Sequence, residues 1–276
     1  MDTIKNNKDK ILKICKFLFI ILVIYFLSKF LIKNIGDVKK EHFEMNWPIF
    51  IGSIFLYFIY MITLASLWHY ITYLNGCSVK YTDAVVSYLY SILGKYIPGK
   101  VFMLAARLPA YEKQGVQLSK VTVCFFIENG CTILGSAFIF LISLFFFPNK
   151  LLGDYSYLIV IGLMIAFFIC IHPKIINWGL RIIGKIFKKD NLEIPMTYSQ
   201  MLKVVLLFIL NWLIVGAGFY LLVRSIYPVP INKALYCAGM YGVSVMLGIL
   251  VIFTVSGLGV RETIIIAGLM LIMPKG

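Results

Sequence analysis

The sequence predicts an all-α protein, a polytopic transmembrane helix bundle in which some helices are broken or re-entrant. Three observations carry that reading. Of 276 residues, 61% are hydrophobic and only 14% charged, with a mean hydropathy of +0.91. A soluble domain could not cover so much apolar surface. The apolar residues also fall in runs of about 20, the length a helix needs to cross a bilayer. Finally, two apolar stretches in opposite halves of the chain are interrupted by glycine with charges close by, a pattern that suggests two pseudo-repeated halves.

Taken from the N-terminus, spans are expected near 14–32, 47–74, 121–147, 155–171, 204–223 and 234–253, within one membrane domain covering 1–276. The first follows a lysine-rich start (Lys5, Lys8, Lys10, Lys13, Lys16). It is long and lacks a small-residue cleavage site, so it reads as an anchor and not as a signal peptide. Trp47, Trp68, Tyr70 and Trp178 lie near span ends and read as interface anchors. The stretch 173–200 is the longest candidate loop and is too short to be an enzyme domain.

Charge placement sets an expected topology. The N-terminus and the stretch bearing Lys174, Arg181, Lys185, Lys188 and Lys189 should both be cytoplasmic. Two spans then return the chain to the cytoplasm near Asn75, and the span at 121–147 must start there as well. Residues 84–120 therefore cross an even number of times. Two full crossings need about 40 helical residues and a turn, more than this segment holds. It is expected to be a surface loop or a re-entrant hairpin.

The flanks favour the hairpin. AVVSYLYSIL (84–93) and VFMLAA (101–106) are apolar and too short to span, and Pro98 and Gly99 lie between them. Proline disfavours helix at Ile97, and glycine permits backbone angles that other residues avoid. Irregular backbone at membrane depth is tolerated where it is buried in protein or lines a wet cavity. The expected re-entrant or broken segment is 84–110. Its cations Lys95, Lys100 and Arg107 suit an anion, and arginine can grip a phosphate with two parallel hydrogen bonds. The alternative is that all three snorkel from an interfacial loop to the headgroups.

Glu128 stands inside a long apolar run, where an ionised carboxylate must face the protein interior, pair with a cation or carry a proton. A structural pair with Arg107, Lys100 or Lys95 and a proton relay are both open. Asn129 and Asn211, also in apolar spans, are explained by hydrogen bonding between helices. The second interrupted segment is 254–273, where VSGLGVRE places Gly257 and Gly259 just before Arg261 and Glu262. The other reading of those glycines is a helix end followed by a surface turn.

The same inventory narrows the chemistry. Cys15, Cys77, Cys124, Cys131, Cys170 and Cys237 are scattered, as are His42, His69 and His172, so neither a disulfide framework nor a metal site is expected. No catalytic triad is legible, and no catalytic residue or cofactor is expected. The net charge of +14 fits basic residues facing anionic headgroups at the cytoplasmic ends of spans, so nucleic acid is not an expected partner.

GKYIPGKV (94–101), Arg107, Gly115, Glu128 and the distant GLGVRE (257–262) together resemble the lysylphosphatidylglycerol synthetase transmembrane-domain family, the flippase-like membrane proteins. The resemblance covers most of the chain. It implies translocation of an anionic phospholipid, an aminoacyl-phospholipid or a polyprenyl-phosphate-linked substrate across the cytoplasmic membrane. It also implies functional roles for Lys95, Pro98, Gly99, Arg107, Glu128, Arg261 and Glu262. Thr254 and Val255 stand where the family often has a proline, and relatives usually continue beyond the point corresponding to Gly276, as expected of a short or truncated member.

On this reading Lys95, Lys100, Arg107 and Arg261 bind an anionic headgroup. Glu128 and Glu262 support those cations, and the backbone opens at Pro98, Gly99, Gly257 and Gly259. The expected partners are membrane lipids, with a homo-oligomer or a partner synthase left open. No aminoacyl-transfer domain is legible, so the chain is not expected to be an enzyme. Two alternatives stand beside the flippase: an integral-membrane enzyme acting on a lipid phosphate, and a non-catalytic lipid-binding membrane subunit.

Overall fold

The helices that begin at Trp47, Tyr198 and Val260 start where the sequence supplies a cap. The computed structural model describes residues 44–96, 101–146, 156–186, 193–251, 257 and 259–273. The chain divides into two compact units, Met1–Glu44 and Met45–Gly276, and everything below concerns the second. The expected span 14–32, together with Pro98, Gly99 and Lys100, lies outside the described residues.

Helix α1, Trp47–Leu74, starts at Asn46, whose side chain accepts from Ile49 N, with Pro48 in the first turn. It stops at Asn75 and Gly76, the latter at φ +71°, where Cys77 N donates back to Thr72 O at 2.8 Å. Two short helices follow, α2 (Tyr81–Ser91) and α3 (Val101–Glu112), with a 3-10 turn Ile92–Tyr96 after the first. Long α4 (Leu118–Phe146) comes next, then α5 (Ser156–Cys170) and α6 (Pro173–Ile186). Helix α7, Tyr198–Arg224, opens on a reciprocal Thr197–Gln200 capping box. Helices α8 (Ala234–Leu250) and α9 (Val260–Met270) complete the set.

The protein is a multi-pass, all-α membrane bundle. Helices α1, α4, α7 and the stretch Ile231–Leu250 that holds α8 are long and apolar enough to cross a bilayer. The bent pair Tyr157–Cys170 and Pro173–Ile182 adds a fifth span if counted as one. Part of the expected loop at 173–200 is helical: α6 occupies its first half, and α7 begins at Tyr198. The lysines that mark this stretch as polar sit on a sequence whose apolar residues repeat with helical period, so it folds as an amphipathic helix.

Helix α1 runs antiparallel to α7, with Asn46 N donating to Ser225 O at 2.8 Å where the start of one meets the end of the other. Helix α8 packs against α4, α7 and α9. Small residues make these approaches close. A Cβ at Gly216 would lie 2.5 Å from Ala238 Cβ, one at Gly135 2.8 Å from Trp212 Cδ1, and one at Gly242 3.1 Å from Ser136 O. In lipid, where water does not drive helices together, such close backbone contact supplies the packing.

The short pair α2–α3 is an antiparallel hairpin. Gln114 donates to Asp83 Oδ2 at 3.0 Å, Arg107 Nε to Ser91 Oγ at 2.9 Å, and Gly94 lies against Phe102 and Met103. Its arms have 11 and 12 residues, roughly 16–18 Å at helical rise, well short of the ~30 Å hydrocarbon core.

Gly216→Val should drive α7 and α8 apart and destabilise the protein by about 1–3 kcal/mol, as overpacking does. Gly162→Ala, inside α5 where an added Cβ meets nothing within 4 Å, should not destabilise the protein and should gain up to about 1 kcal/mol of helix propensity. Thermal unfolding of both variants in detergent checks the contrast.

Candidate functional site

The hairpin carries the most deeply buried cation among the described residues. Arg107, on the inner face of α3, has no exposed surface. A guanidinium taken from water must keep its donors occupied. Here Nε donates to Ser91 Oγ on α2, one terminal nitrogen donates to Glu128 Oε2, and the other reaches Oε1 at 3.4 Å. Ser91 is free to accept because its own hydroxyl donates to Tyr88 O at 2.6 Å.

Aromatic faces close the rest of the box. The guanidinium carbon lies 4.2 Å from the Trp68 ring centroid and 4.3 Å from that of Tyr88, with Phe125 at 5.3 Å. Desolvated cation–π contacts of this kind contribute about 2 kcal/mol. Trp68 in turn meets Tyr111 edge-on at 5.9 Å, and the Tyr111 hydroxyl donates to Thr72 Oγ1 at 3.3 Å. One side chain therefore joins α1, the hairpin and α4.

Trp68 is not the interface anchor that its place near a span end suggests: it is wholly buried, because the hairpin packs over it and supplies a cation for its ring. Asn129 donates to Phe125 O within its own helix, and Asn211 Oδ1 is buried without a hydrogen-bond partner among the described residues.

The second interrupted segment builds a different arrangement. Gly257 and Gly259 have φ of +75° and +91°, the left-handed region that glycine tolerates. A Cβ at Gly257 would lie 2.5 Å from Gly248 Cα, and one at Gly248 only 2.7 Å from Arg261 Cγ. Glycine at 248 and 257 thus lets the turn press onto α8 and lets the Arg261 stem lie across it. The Arg261 head ends beside Tyr241, with Nη2 at 3.5 Å from the hydroxyl and the guanidinium carbon 5.9 Å from the ring centroid.

Glu262 turns away to another task. It accepts from Gly259 N at 2.7 Å and caps α9. Among the described residues no carboxylate pairs with Arg261.

An aromatic layer connects the two regions. Tyr241 stacks on Phe219 at 4.9 Å and tilts against Trp212 at 6.2 Å, and Trp212 meets Tyr60 at 6.5 Å. Trp212 Nε1 donates to Thr132 O at 3.0 Å, one turn along α4 from Glu128. Tyr241 also forms one wall of a cavity of about 250 Å³ between α1 and α7, lined by Phe50, Ser53, Tyr57, Val215 and Gly218.

Of the expected site residues, then, the fold brings Arg107 and Glu128 into contact and sets Arg261 apart beside Tyr241. Lys95 falls in the 3-10 turn after α2 with its side chain outside the described residues, as are Lys100, Pro98 and Gly99 altogether. The sequence reading missed Trp68, Tyr88, Ser91 and Tyr241 as partners of the cations. Small residues were the available signal: Gly94 and Gly248 both sit where another backbone or an arginine stem must pass.

Glu128→Ala strands a buried guanidinium and should destabilise the protein by about 3–5 kcal/mol, whereas Arg107→Met with Glu128→Leu should recover most of that loss. Unfolding in detergent micelles measures both, and a Glu128→Ala variant as stable as the natural chain would remove the structural role of the pair.

The family model described as "Lysylphosphatidylglycerol synthase TM region" matches residues 13–276. No curated protein and no solved structure matches the chain.

Proposed function

The chain belongs to the lysylphosphatidylglycerol synthase transmembrane-region family, and from that premise we propose that it is a flippase-like transporter of an anionic lipid in the cytoplasmic membrane. The substrate would be a phospholipid, an aminoacyl-phospholipid or a polyprenyl-phosphate-linked lipid, and the N-terminus would face the cytoplasm.

The observation that carries this reading is the Arg107–Glu128 pair, which fastens a hairpin too short to span onto a helix that does. A flippase must take a charged headgroup through hydrocarbon without leaving any charge uncompensated. A phosphate offers arginine the same paired oxygens as a carboxylate. As the hairpin parts from α4, a lipid phosphate takes the place of Glu128 on Arg107, and Glu128 takes up a proton. Neither group is then left ionised and alone.

Arg261 supports a second station. It is half-buried with a phenol, not a carboxylate, as its polar neighbour, so an arriving anion displaces no ion pair there. The apolar cavity that Tyr241 lines has the lining an acyl or prenyl chain would meet in the bilayer.

Vesicles containing the full chain and fluorescent phosphatidylglycerol test the proposal by loss of outer-leaflet fluorescence to a membrane-impermeant reductant. The chain should accelerate transfer over empty vesicles, and Arg261→Gln should slow it about tenfold, the loss of one charge-assisted contact. Transfer no faster than in empty vesicles, or unchanged by Arg261→Gln, would refute it.

A further inference from the structure

Helix α6 carries three separate faces, and the protein accounts for only one. Leu180 is buried and Ile176 packs against the core. A second face, nearly opposite the first, presents Ile175, Trp178 and Ile182, which are 40%, 67% and 41% exposed. These positions are spaced i, i+3 and i+7, so they form a continuous apolar stripe. Lys174 and Arg181 lie along its flank at the same i, i+7 spacing, and the sequence continues with Lys185, Lys188 and Lys189.

The stripe is held in one orientation. Asn177 grips the returning chain through both ends of its amide, accepting from Ile194 N at 2.9 Å and donating to Ile194 O at 3.4 Å. Arg181 Nε donates to Glu193 at 2.9 Å, and His172, at the bend, stacks on Tyr198 at 5.2 Å. Beyond that bend α6 leaves the direction of α5 by 72°. With α5 set along the membrane normal, a helix turned so far from it runs closer to the membrane plane than to that normal.

We propose that α6 is an in-plane anchor on the leaflet that carries anionic lipid, with Ile175, Trp178 and Ile182 seated among the upper acyl chains and Lys174 and Arg181 against the headgroup phosphates. Charge complementarity selects that occupant. Glu193 already pairs with Arg181, so the flank's further charge is Lys174, continued in sequence by Lys185, Lys188 and Lys189. A second protein would have to bring carboxylates to it, whereas an anionic leaflet supplies oxyanions along its whole surface.

Length supports the same placement. Helix α5 has 15 residues, about 22 Å, short of a hydrocarbon core of about 30 Å. An amphipathic helix lying in the interface sinks its apolar face by about 5–10 Å. With α6 seated at that depth, the remaining distance is the one α5 covers.

The full chain in vesicles of brominated phosphatidylcholine or phosphatidylglycerol tests this through tryptophan quenching, with the Trp178→Phe variant isolating the contribution of residue 178 by difference. Bromines placed just below the headgroup should quench that contribution several-fold more than bromines near the chain ends. Brominated phosphatidylglycerol should quench it more strongly than brominated phosphatidylcholine, and Lys174→Gln should narrow the difference between the two lipids.

Quenching by neither bromine position, as when water or a second copy of the chain covers the stripe, would overturn the proposal. So would stronger quenching from the chain ends, which places α6 inside the membrane as half a span. Equal quenching by the two lipids in the unsubstituted chain would overturn the anionic leaflet as its partner.

Discussion

The architecture rests on one guanidinium that has no water. Arg107 meets Glu128, Ser91 and the faces of Trp68 and Tyr88, so the first long helix, the short hairpin and the fourth helix share a single charged centre. The hairpin arms are too short to be held by spanning the bilayer, and they attach through buried residues such as Ala84, Tyr88, Arg107 and Tyr111. Hydrocarbon makes their attachment secure, because separating the pair without replacing its partners leaves charges where solvation is poorest. The strength of the joint and its sensitivity to a competing oxyanion have the same origin.

The long helices were legible because bilayer thickness sets their length and composition sets their environment. Trp47 to Leu74 is a helix over the limits the apolar run suggests, with Asn46 and Gly76 as visible punctuation. Side-chain pairings were less legible. Glu128 had three candidate cations within a short distance in sequence, and choosing Arg107 required knowing that Ser91 folds back against it. Trp68 lies near a span end, and only the hairpin behind it separates a buried ring from an interfacial one. The helix at 173–186 was obscured because its lysines suggest a loop, although its apolar residues keep helical period. Glu262 follows Gly259 by three residues, which is capping spacing, and that local signal outranks the pairing its neighbour Arg261 suggests.

The two arginines occupy contrasting electrostatic settings within one membrane bundle. Arg107 is enclosed and neutralised, while Arg261 faces a phenol and keeps its charge uncompensated by the described residues. Tyr60, Trp212 and Tyr241 lie between them as a layer of edges and faces. Such a layer is apolar toward a lipid chain, yet its phenols and indole remain capable of hydrogen bonding.

Helix α8 meets its neighbours through residues with almost no side chain: Gly239 against Ser143, Gly242 against Ser136, Ala238 against Gly216 and Gly248 against Gly257. Large interdigitated side chains lock two helices in register, because any shift along the axis must first lift each knob from its hole. Here the lock is made by absence: a Cβ at Gly239 would lie 2.4 Å from Ser143 and one at Gly242 3.1 Å from Ser136 O, so an axial shift that brought Ala238 or Met240 opposite those serines would clash. In mechanical terms α8 is a keyed joint and not a sliding one, and it holds the hairpin-bearing helix α4 and the Arg261 turn in fixed register.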